Sequence, residues 1–183
     1  MSVKKKLIIC AVTIFGILAL INILWFSLVW RQYNGYKEKM GQNMKTSEEG
    51  MGTKYIVEND KYAIALKCPS YLKFTGGGYI RVNDIEPYAI TYDDEGNETS
   101  NRETDVTLYI WPELFGKYTM GVQFTYDNGG KMRFVNIDND LNILTDNEMD
   151  KTYNEEMEEM MQDNYDKIKE MYELAVEILG LEI

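Results

Sequence analysis

The first pattern in the chain is a long apolar run near its N-terminus. Residues 7–30 read LIICAVTIFGILALINILWFSLVW and contain no charged side chain. As an α-helix, this run is about 36 Å long, which is enough to cross a hydrocarbon core of roughly 30 Å with some tilt. Trp25 and Trp30 lie at its C-terminal end, and such rings favour the lipid headgroup zone. The pattern therefore predicts a single transmembrane helix over 7–30, through which the chain contacts the lipid bilayer.

This run is longer than the apolar core of a cleaved signal peptide, and it ends without a small-residue cleavage site. We therefore interpret it as an uncleaved signal anchor. Three lysines in residues 1–6 predict a short basic tail that stays in the cytoplasm. Basic residues also follow the run, so the charge asymmetry alone does not fix the orientation. We expect a single-pass protein of the cell membrane with its N-terminus in the cytoplasm and its domain outside.

Small and polar residues form a slanting ridge along the predicted transmembrane helix. Gly16, Ala19 and Asn22 recur at intervals of three residues. An asparagine in hydrocarbon seeks a hydrogen-bond partner and can find one on a neighbouring helix. The ridge predicts a helix–helix contact such as self-association. The alternative is that Asn22 is a tolerated polar residue in a solitary anchor.

The segment after the apolar run has a different character. Residues 31–52 contain four glycines and charges of both signs. This composition argues against packing and predicts a stalk that tethers a domain near the bilayer.

Residues 53–145 have the alternation that is typical of antiparallel β-structure. Short aromatic and β-branched runs are separated by clusters of Gly, Asn and Asp. The predicted strands are 53–58, 61–68, 79–83, 88–92, 105–111, 118–126 and 131–137. In the strand at 105–111, Val106 alternates with Thr107, and the second face carries Tyr109 and Trp111. We expect both faces of this strand to be covered, with the C-terminal helix as the natural cover.

The C-terminal part of the chain predicts a long helix over 146–179. Thr145 and Glu148 fit a capping box, and apolar residues then recur at three- and four-residue steps. The apolar stripe can pack on the chain's own sheet or form a coiled-coil seam with Asn164 inside it. We favour packing on the sheet. The fold class predicted for the extracytoplasmic domain, residues 53–183, is therefore α+β: an antiparallel sheet with a long C-terminal helix packed on it.

The charge of the chain limits the classes of molecule that it can bind. The chain has 183 residues, with 19 basic and 30 acidic side chains and no histidine. Residues 1–45 carry a net charge of +6, which leaves −17 on the remainder. A domain this acidic repels phosphates, so we expect no nucleic-acid partner. The absence of histidine removes catalysis and metal binding that depend on imidazole.

Chemical motifs are sparse. Cys10 lies in the predicted membrane helix and Cys68 on the apolar face of a strand, so we expect no disulfide between them and a packing role for Cys68. Residues 138–142 (DNDLN) resemble the opening of a calcium loop. The pattern requires glycine at its sixth position and glutamate at its twelfth, where this chain has Ile143 and Met149. We therefore predict a turn there, and no catalytic residue, cofactor or metal site.

One loop stands out as a candidate contact patch. Trp111, Leu114 and Phe115 form an aromatic and apolar connection between two predicted strands. The alternative is a buried corner. With no catalytic pattern present, we predict a non-enzymatic, membrane-anchored envelope protein that binds another protein, with self-association as one option. The alternatives are an extracytoplasmic domain that binds a small ligand or cation, and a membrane-tethered hydrolase that uses carboxylates.

Overall fold

The computed structural model describes residues 2–49, 52–85, 91–92, 98–99, 104–126, 131–144 and 151–181. The helices are α1 (Val3–Trp25), α2 (Arg31–Met40), α3 (Lys151–Asp163) and α4 (Tyr165–Leu179). The strands are β1 (Lys45–Glu49), β2 (Gly52–Glu58), β3 (Tyr62–Lys67), β4 (Tyr79–Asp84), β5 (Thr91–Tyr92), β6 (Glu98–Thr99), β7 (Asp105–Pro112), β8 (Tyr118–Tyr126) and β9 (Lys131–Ile137). A π-helical turn (Phe26–Trp30) joins α1 to α2, and a short 3₁₀ turn (Leu114–Gly116) joins β7 to β8.

The N-terminal helix runs on far beyond the predicted span. The amide of Arg31 donates to the carbonyl of Phe26, five residues earlier, which marks the π-helical turn. Trp25, Val29 and Tyr33 are buried at four-residue steps, so one face of the helix packs on the domain.

The structure therefore differs from the stalk expected at residues 31–52. In that segment α2 packs on the domain and β1 joins the sheet. Met40, near the end of α2, is buried. Apolar residues spaced along one helical face outweigh the destabilising effect of Gly35 within that helix.

Seven strands form one antiparallel sheet in the order β1-β2-β3-β4-β7-β8-β9, and β5 pairs with β6 separately. The six predicted strands that correspond to β2, β3, β4, β7, β8 and β9 are confirmed within two residues. The predicted strand at 88–92 falls mostly outside the described residues, and only Thr91–Tyr92 is seen as a strand. β1 was not predicted from the sequence, because its side chains are all polar or charged.

One face of the sheet forms the core. Strand alternation directs Ile64, Val82, Leu108, Val122 and Val135 to the same side, and all five are buried. Burying one such side chain contributes about 1.5–3 kcal/mol relative to leaving it in water. The core is therefore continuous across β3, β4, β7, β8 and β9.

The C-terminal helices cover this core face, which confirms the α+β class. The predicted helix is interrupted at Asn164, whose backbone (φ −111°, ψ 12°) leaves the helical region. The side-chain amide of Asn164 donates from Nδ2 to the carbonyl of Met160 at 2.9 Å. The predicted start, including Thr145 and Glu148, lies outside the described residues. The apolar stripe packs on the chain's own sheet, through the buried residues Met157, Met161, Ile168, Met171 and Ala175.

Candidate binding surface on the outer face of the sheet

The second face of the sheet carries aromatic and polar side chains. In β7, Val106, Leu108 and Ile110 face the helices, so Tyr109 and Trp111 must face the opposite side. Both are only partly buried. The prediction that both faces of this strand are covered by the C-terminal helix is therefore not met on the Tyr109 side, since α4 packs against the face that carries Leu108.

Four aromatic rings from three strands meet on this outer face. Tyr109 stacks on Trp111, with centroids 5.6 Å apart and ring planes within 5°. Phe134 of β9 meets Trp111 edge-on at 5.7 Å, and Tyr79 of β4 meets Tyr109 edge-on at 5.9 Å. We call these four residues the aromatic cluster. Each such pair contributes about 0.5–1.5 kcal/mol beyond its buried area, so the cluster is held in a defined shape.

Gly121 makes room for the cluster. It lies in β8 opposite Tyr109 on one side and Asn136 on the other. A Cβ atom at this position would lie 2.2 Å from the Phe134 ring, closer than any packed contact. The glycine thus leaves room for the Phe134 ring over β8, close to Trp111.

A polar hollow of about 390 Å³ borders the cluster on the same face. Its lining includes Arg81, Asn83, Thr107, Tyr109, Gln123 and Thr125. Arg81 lies directly opposite Tyr109 in the register of β4 and β7. Its Nε atom is buried and finds no hydrogen-bond partner in the described part of the chain. An unsatisfied buried donor costs about 1–3 kcal/mol, so Arg81 holds its place beside the hollow at a cost in stability.

The structure divides the predicted contact patch between two surfaces. Trp111 belongs to the aromatic cluster. Leu114 is partly buried and packs against the core. Phe115 projects from the 3₁₀ turn with 81% of its surface exposed, near the π-helical turn of the N-terminal helix. A joint role of the three residues in partner binding stays a prediction.

Asn22, the third predicted residue of the transmembrane ridge, is hydrogen-bonded within the chain. Its Nδ2 donates to the carbonyl of Leu18 at 2.8 Å, and its Oδ1 accepts from the hydroxyl of Tyr71. Gly16 and Ala19 are exposed, and nothing lies within 4 Å of a Cβ placed on Gly16. Self-association through this ridge stays a prediction.

Cys68 packs between the sheet and the N-terminal helix, where burial raises the pKa of its thiol. A raised pKa disfavours the nucleophilic thiolate. Asp138 closes a turn by accepting the backbone N–H groups of Asp140 and Asn142 at 2.9 and 2.8 Å. These hydrogen bonds lower the pKa of the Asp138 carboxyl and occupy one of its oxygens. No group of three or more Cys, Asp or Glu side chains in the described ranges is placed to hold a metal ion.

Three residues of this surface were not predicted from the sequence. Tyr79, Arg81 and Phe134 each alternate with buried neighbours on their own strands, which was the available signal. What the sequence lacked was the strand order that brings them together.

Among the described residues, one helix (Val3–Met40) is long and apolar enough to cross a membrane, judged by length and composition. Its most apolar part has a mean hydropathy of 2.8 and is not buried in the domain. Comparisons with protein-family models, with curated proteins and with solved structures found no match to this chain.

Proposed function

We propose that this chain is a single-pass membrane protein whose α+β domain lies outside the cytoplasm and binds a polypeptide partner without catalysing a reaction. The observation that carries the proposal is the aromatic cluster beside the hollow at Arg81. Aromatic and arginine side chains dominate the binding energy of protein interfaces because they bury large areas and can still form hydrogen bonds.

The geometry matches what an extended segment needs. The stacked pair of Tyr109 and Trp111 offers a rigid apolar platform, and rigid side chains lose little entropy on binding. Arg81 adds a charged donor that recognises a carboxylate or a carbonyl oxygen. The net charge of −17 beyond residue 45 disfavours nucleic acid and favours a partner whose remaining surface is basic.

Photo-crosslinking in the native membrane tests the binding proposal. A photoreactive residue replaces Trp111 in the full chain, and the matched control replaces Glu177, which is exposed on α4. We expect a discrete crosslinked band from position 111 alone, and we expect Arg81→Ala to weaken it in a chain that remains folded by circular dichroism. Equal crosslinking from both positions, or none from position 111, would overturn the proposal.

Protease treatment of intact cells tests the orientation. The chain carries an epitope at its C-terminus. The proposed topology predicts that protease removes the epitope signal from the cells. It also predicts that the medium contains no epitope before the protease is added. Full protection of the epitope would place the domain in the cytoplasm.

A second candidate is a small anionic ligand in the hollow itself. A volume of about 390 Å³ is within the range of small-molecule sites, and the cationic Arg81 is among the residues that line it. The two candidates differ in a thermal-shift screen of carboxylate compounds. A small ligand raises the melting temperature of the parent and not of Arg81→Ala, whereas a partner that needs the whole face gives no shift with small compounds.

A further inference from the structure

Two loops lie at the same end of the sheet, beside the N-terminal helix. Because β3, β4, β7 and β8 are antiparallel neighbours, the β3–β4 loop (68–78) and the β7–β8 loop (113–117) must leave the sheet at the same end. Trp25 in α1 donates from Nε1 to the carbonyl of Lys73 in the first loop at 3.2 Å. The second loop contacts the π-helical turn. We call this end of the sheet the helix-side edge.

The helix-side edge exposes large apolar side chains. Tyr71 is 59% exposed, Leu72 39% and Phe115 81%. Leu72 and Phe115 also have backbone φ angles of 61° and 65°, in the left-handed region that residues with a Cβ rarely adopt. This conformation is sterically unfavourable at both residues, because their Cβ atoms crowd the following carbonyl oxygens. Two strained residues that both turn apolar side chains outward at one edge indicate an apolar environment there.

The length of the anchor places the helix-side edge at the boundary of the hydrocarbon core. Tyr71 bonds to Asn22, and only 15 charge-free residues, 7–21, precede that contact after the last lysine of the tail. Fifteen helical residues span about 23 Å, whereas the hydrocarbon core is roughly 30 Å thick. Crossing the full core takes about 20 residues, which extends to Phe26. The Tyr71 hydroxyl therefore lies about four residues, or one helical turn, below the hydrocarbon boundary.

One basic side chain, Arg31, follows shortly after the hydrocarbon boundary at Phe26. Arg31 and Lys39 line a hollow of about 620 Å³ together with Ser27, Leu28 and Phe115. Arg31 lies five residues, or between one and two helical turns, beyond Phe26, so its cationic group is at the level of the lipid phosphates above an apolar floor, whereas Lys39 lies more than three turns beyond Phe26 and outside that level. The same edge thus provides both parts of a membrane-interface contact.

We propose that the helix-side edge is seated in the interface of the bilayer that the anchor crosses, with Tyr71, Leu72 and Phe115 among the acyl chains. The inference rests on the membrane anchoring in the proposed function and is independent of which side the domain faces. It implies that the domain lies against the membrane in one orientation, with the aromatic cluster facing sideways. The ligand is the lipid surface itself.

Depth-dependent fluorescence quenching tests this directly. The full chain, with Cys10→Ser and Cys68→Ala as the background, carries a single NBD-labelled cysteine at Phe115→Cys or Leu72→Cys. The matched control is Asp60→Cys, an exposed turn at the opposite end of the sheet. Each protein is reconstituted into phosphatidylcholine vesicles, with or without lipids that carry a nitroxide high on the acyl chain.

We expect the labels at positions 72 and 115 to emit at shorter wavelength than the label at position 60, and to be quenched several-fold more by the nitroxide lipid. Equal, weak quenching at all three positions in a protein that resists carbonate extraction would overturn the inference alone. A blue-shifted label at position 115 that depends on protein density and not on nitroxide lipid would assign the edge to a second copy of the chain. Release of the protein by carbonate would instead overturn the proposed anchoring.

Discussion

The hydroxyl of Tyr71 donates a hydrogen bond to Oδ1 of Asn22, across 49 residues of sequence. The asparagine amide nitrogen is also satisfied, by the carbonyl of Leu18. The polar group that the sequence singles out in the long apolar helix thus connects that helix to the domain. The N-terminal helix and the sheet are one structural unit, held by this bond, by the Trp25 contact with Lys73 and by the buried face of α2.

Breaking this connection should loosen the β3–β4 loop. Asn22→Leu and Tyr71→Phe each remove the same hydrogen bond, which contributes about 0.5–1.5 kcal/mol. We expect faster amide hydrogen exchange in residues 69–75 in both variants, by a similar factor, in detergent micelles or nanodiscs. Thr13→Val is the control, because its hydroxyl donates to the carbonyl of Ile9 in its own helix.

The same variants discriminate between the two roles of Asn22. If it mediates helix–helix contact instead, Asn22→Leu will abolish detergent-stable dimers while exchange in the loop stays unchanged, and Tyr71→Phe will have no effect on either measurement.

Replacing Gly78 should disturb the docking of α2. A Cβ at this position would lie 2.5 Å from the hydroxyl oxygen of Tyr33, and the Tyr33 ring is held in place by burial. We expect Gly78→Ala to lower the free energy of unfolding by about 1–3 kcal/mol through overpacking. Gly35→Ala is the matched control, because a Cβ there meets nothing within 4 Å and alanine favours a helix by about 1 kcal/mol. Thermal unfolding of both variants measures the difference, and equal melting temperatures would contradict the packing of Tyr33 on Gly78.

The apolar stripe of α3 and α4 should contribute to the stability of the fold as buried core residues do. Met171 is fully buried between α4 and the sheet, whereas Met132 is 64% exposed on β9. We expect Met171→Ala to cost about 2–5 kcal/mol and Met132→Ala to stay within about 0.5 kcal/mol of the parent. Denaturant unfolding at two protein concentrations checks this. A cost at Met171 that depends on concentration would indicate an intermolecular seam.

Acid should weaken the attachment of α3. Glu156 accepts hydrogen bonds from the Tyr126 hydroxyl at 2.8 Å and from Nε of Arg133 at 3.3 Å. The Tyr126 bond first, and then the Arg133 guanidinium, lower the pKa of the Glu156 carboxyl below its ordinary value of 4.5. A carboxyl with a lowered folded pKa stabilises the fold fully above its unfolded pKa, and this contribution is lost as the pH falls through the folded value.

We therefore expect the melting temperature of the parent to fall more steeply below about pH 4.5 than that of Glu156→Gln, which has no such charge to lose. Glu158→Gln, exposed on the same helix, should retain the parent's slope. Identical slopes in the parent and Glu156→Gln would show that this pair adds nothing to the acid sensitivity of the fold.

Local patterns predicted much of this architecture. Six strands of the main sheet, β2, β3, β4, β7, β8 and β9, were predictable from the sequence. In a half-buried strand, apolar residues recur at every second position. The apolar stripe of the C-terminal helices repeats at helical spacing for the same kind of reason. β1 could not be found, because its sequence, KTSEE, has no apolar alternation and its strand exists only through pairing with β2. Charged side chains suit it to the exposed edge of a sheet.

The sequence alone determined the long apolar helix, the strands and the amphipathic helices, because each depends on residues close together along the chain. Only the tertiary structure decided that residues 31–40 pack on the domain. Their glycine and charged residues make the apolar stripe of this helix hard to recognise in the sequence, and the residues that contact the stripe lie in distant elements. The tertiary structure also decided the positions of the aromatic cluster and the helix-side edge. Tyr79, Tyr109 and Phe134 come from three strands, and Leu72 and Phe115 from two loops, so sheet order and register set their proximity. The spacing of the residues in the sequence does not encode it.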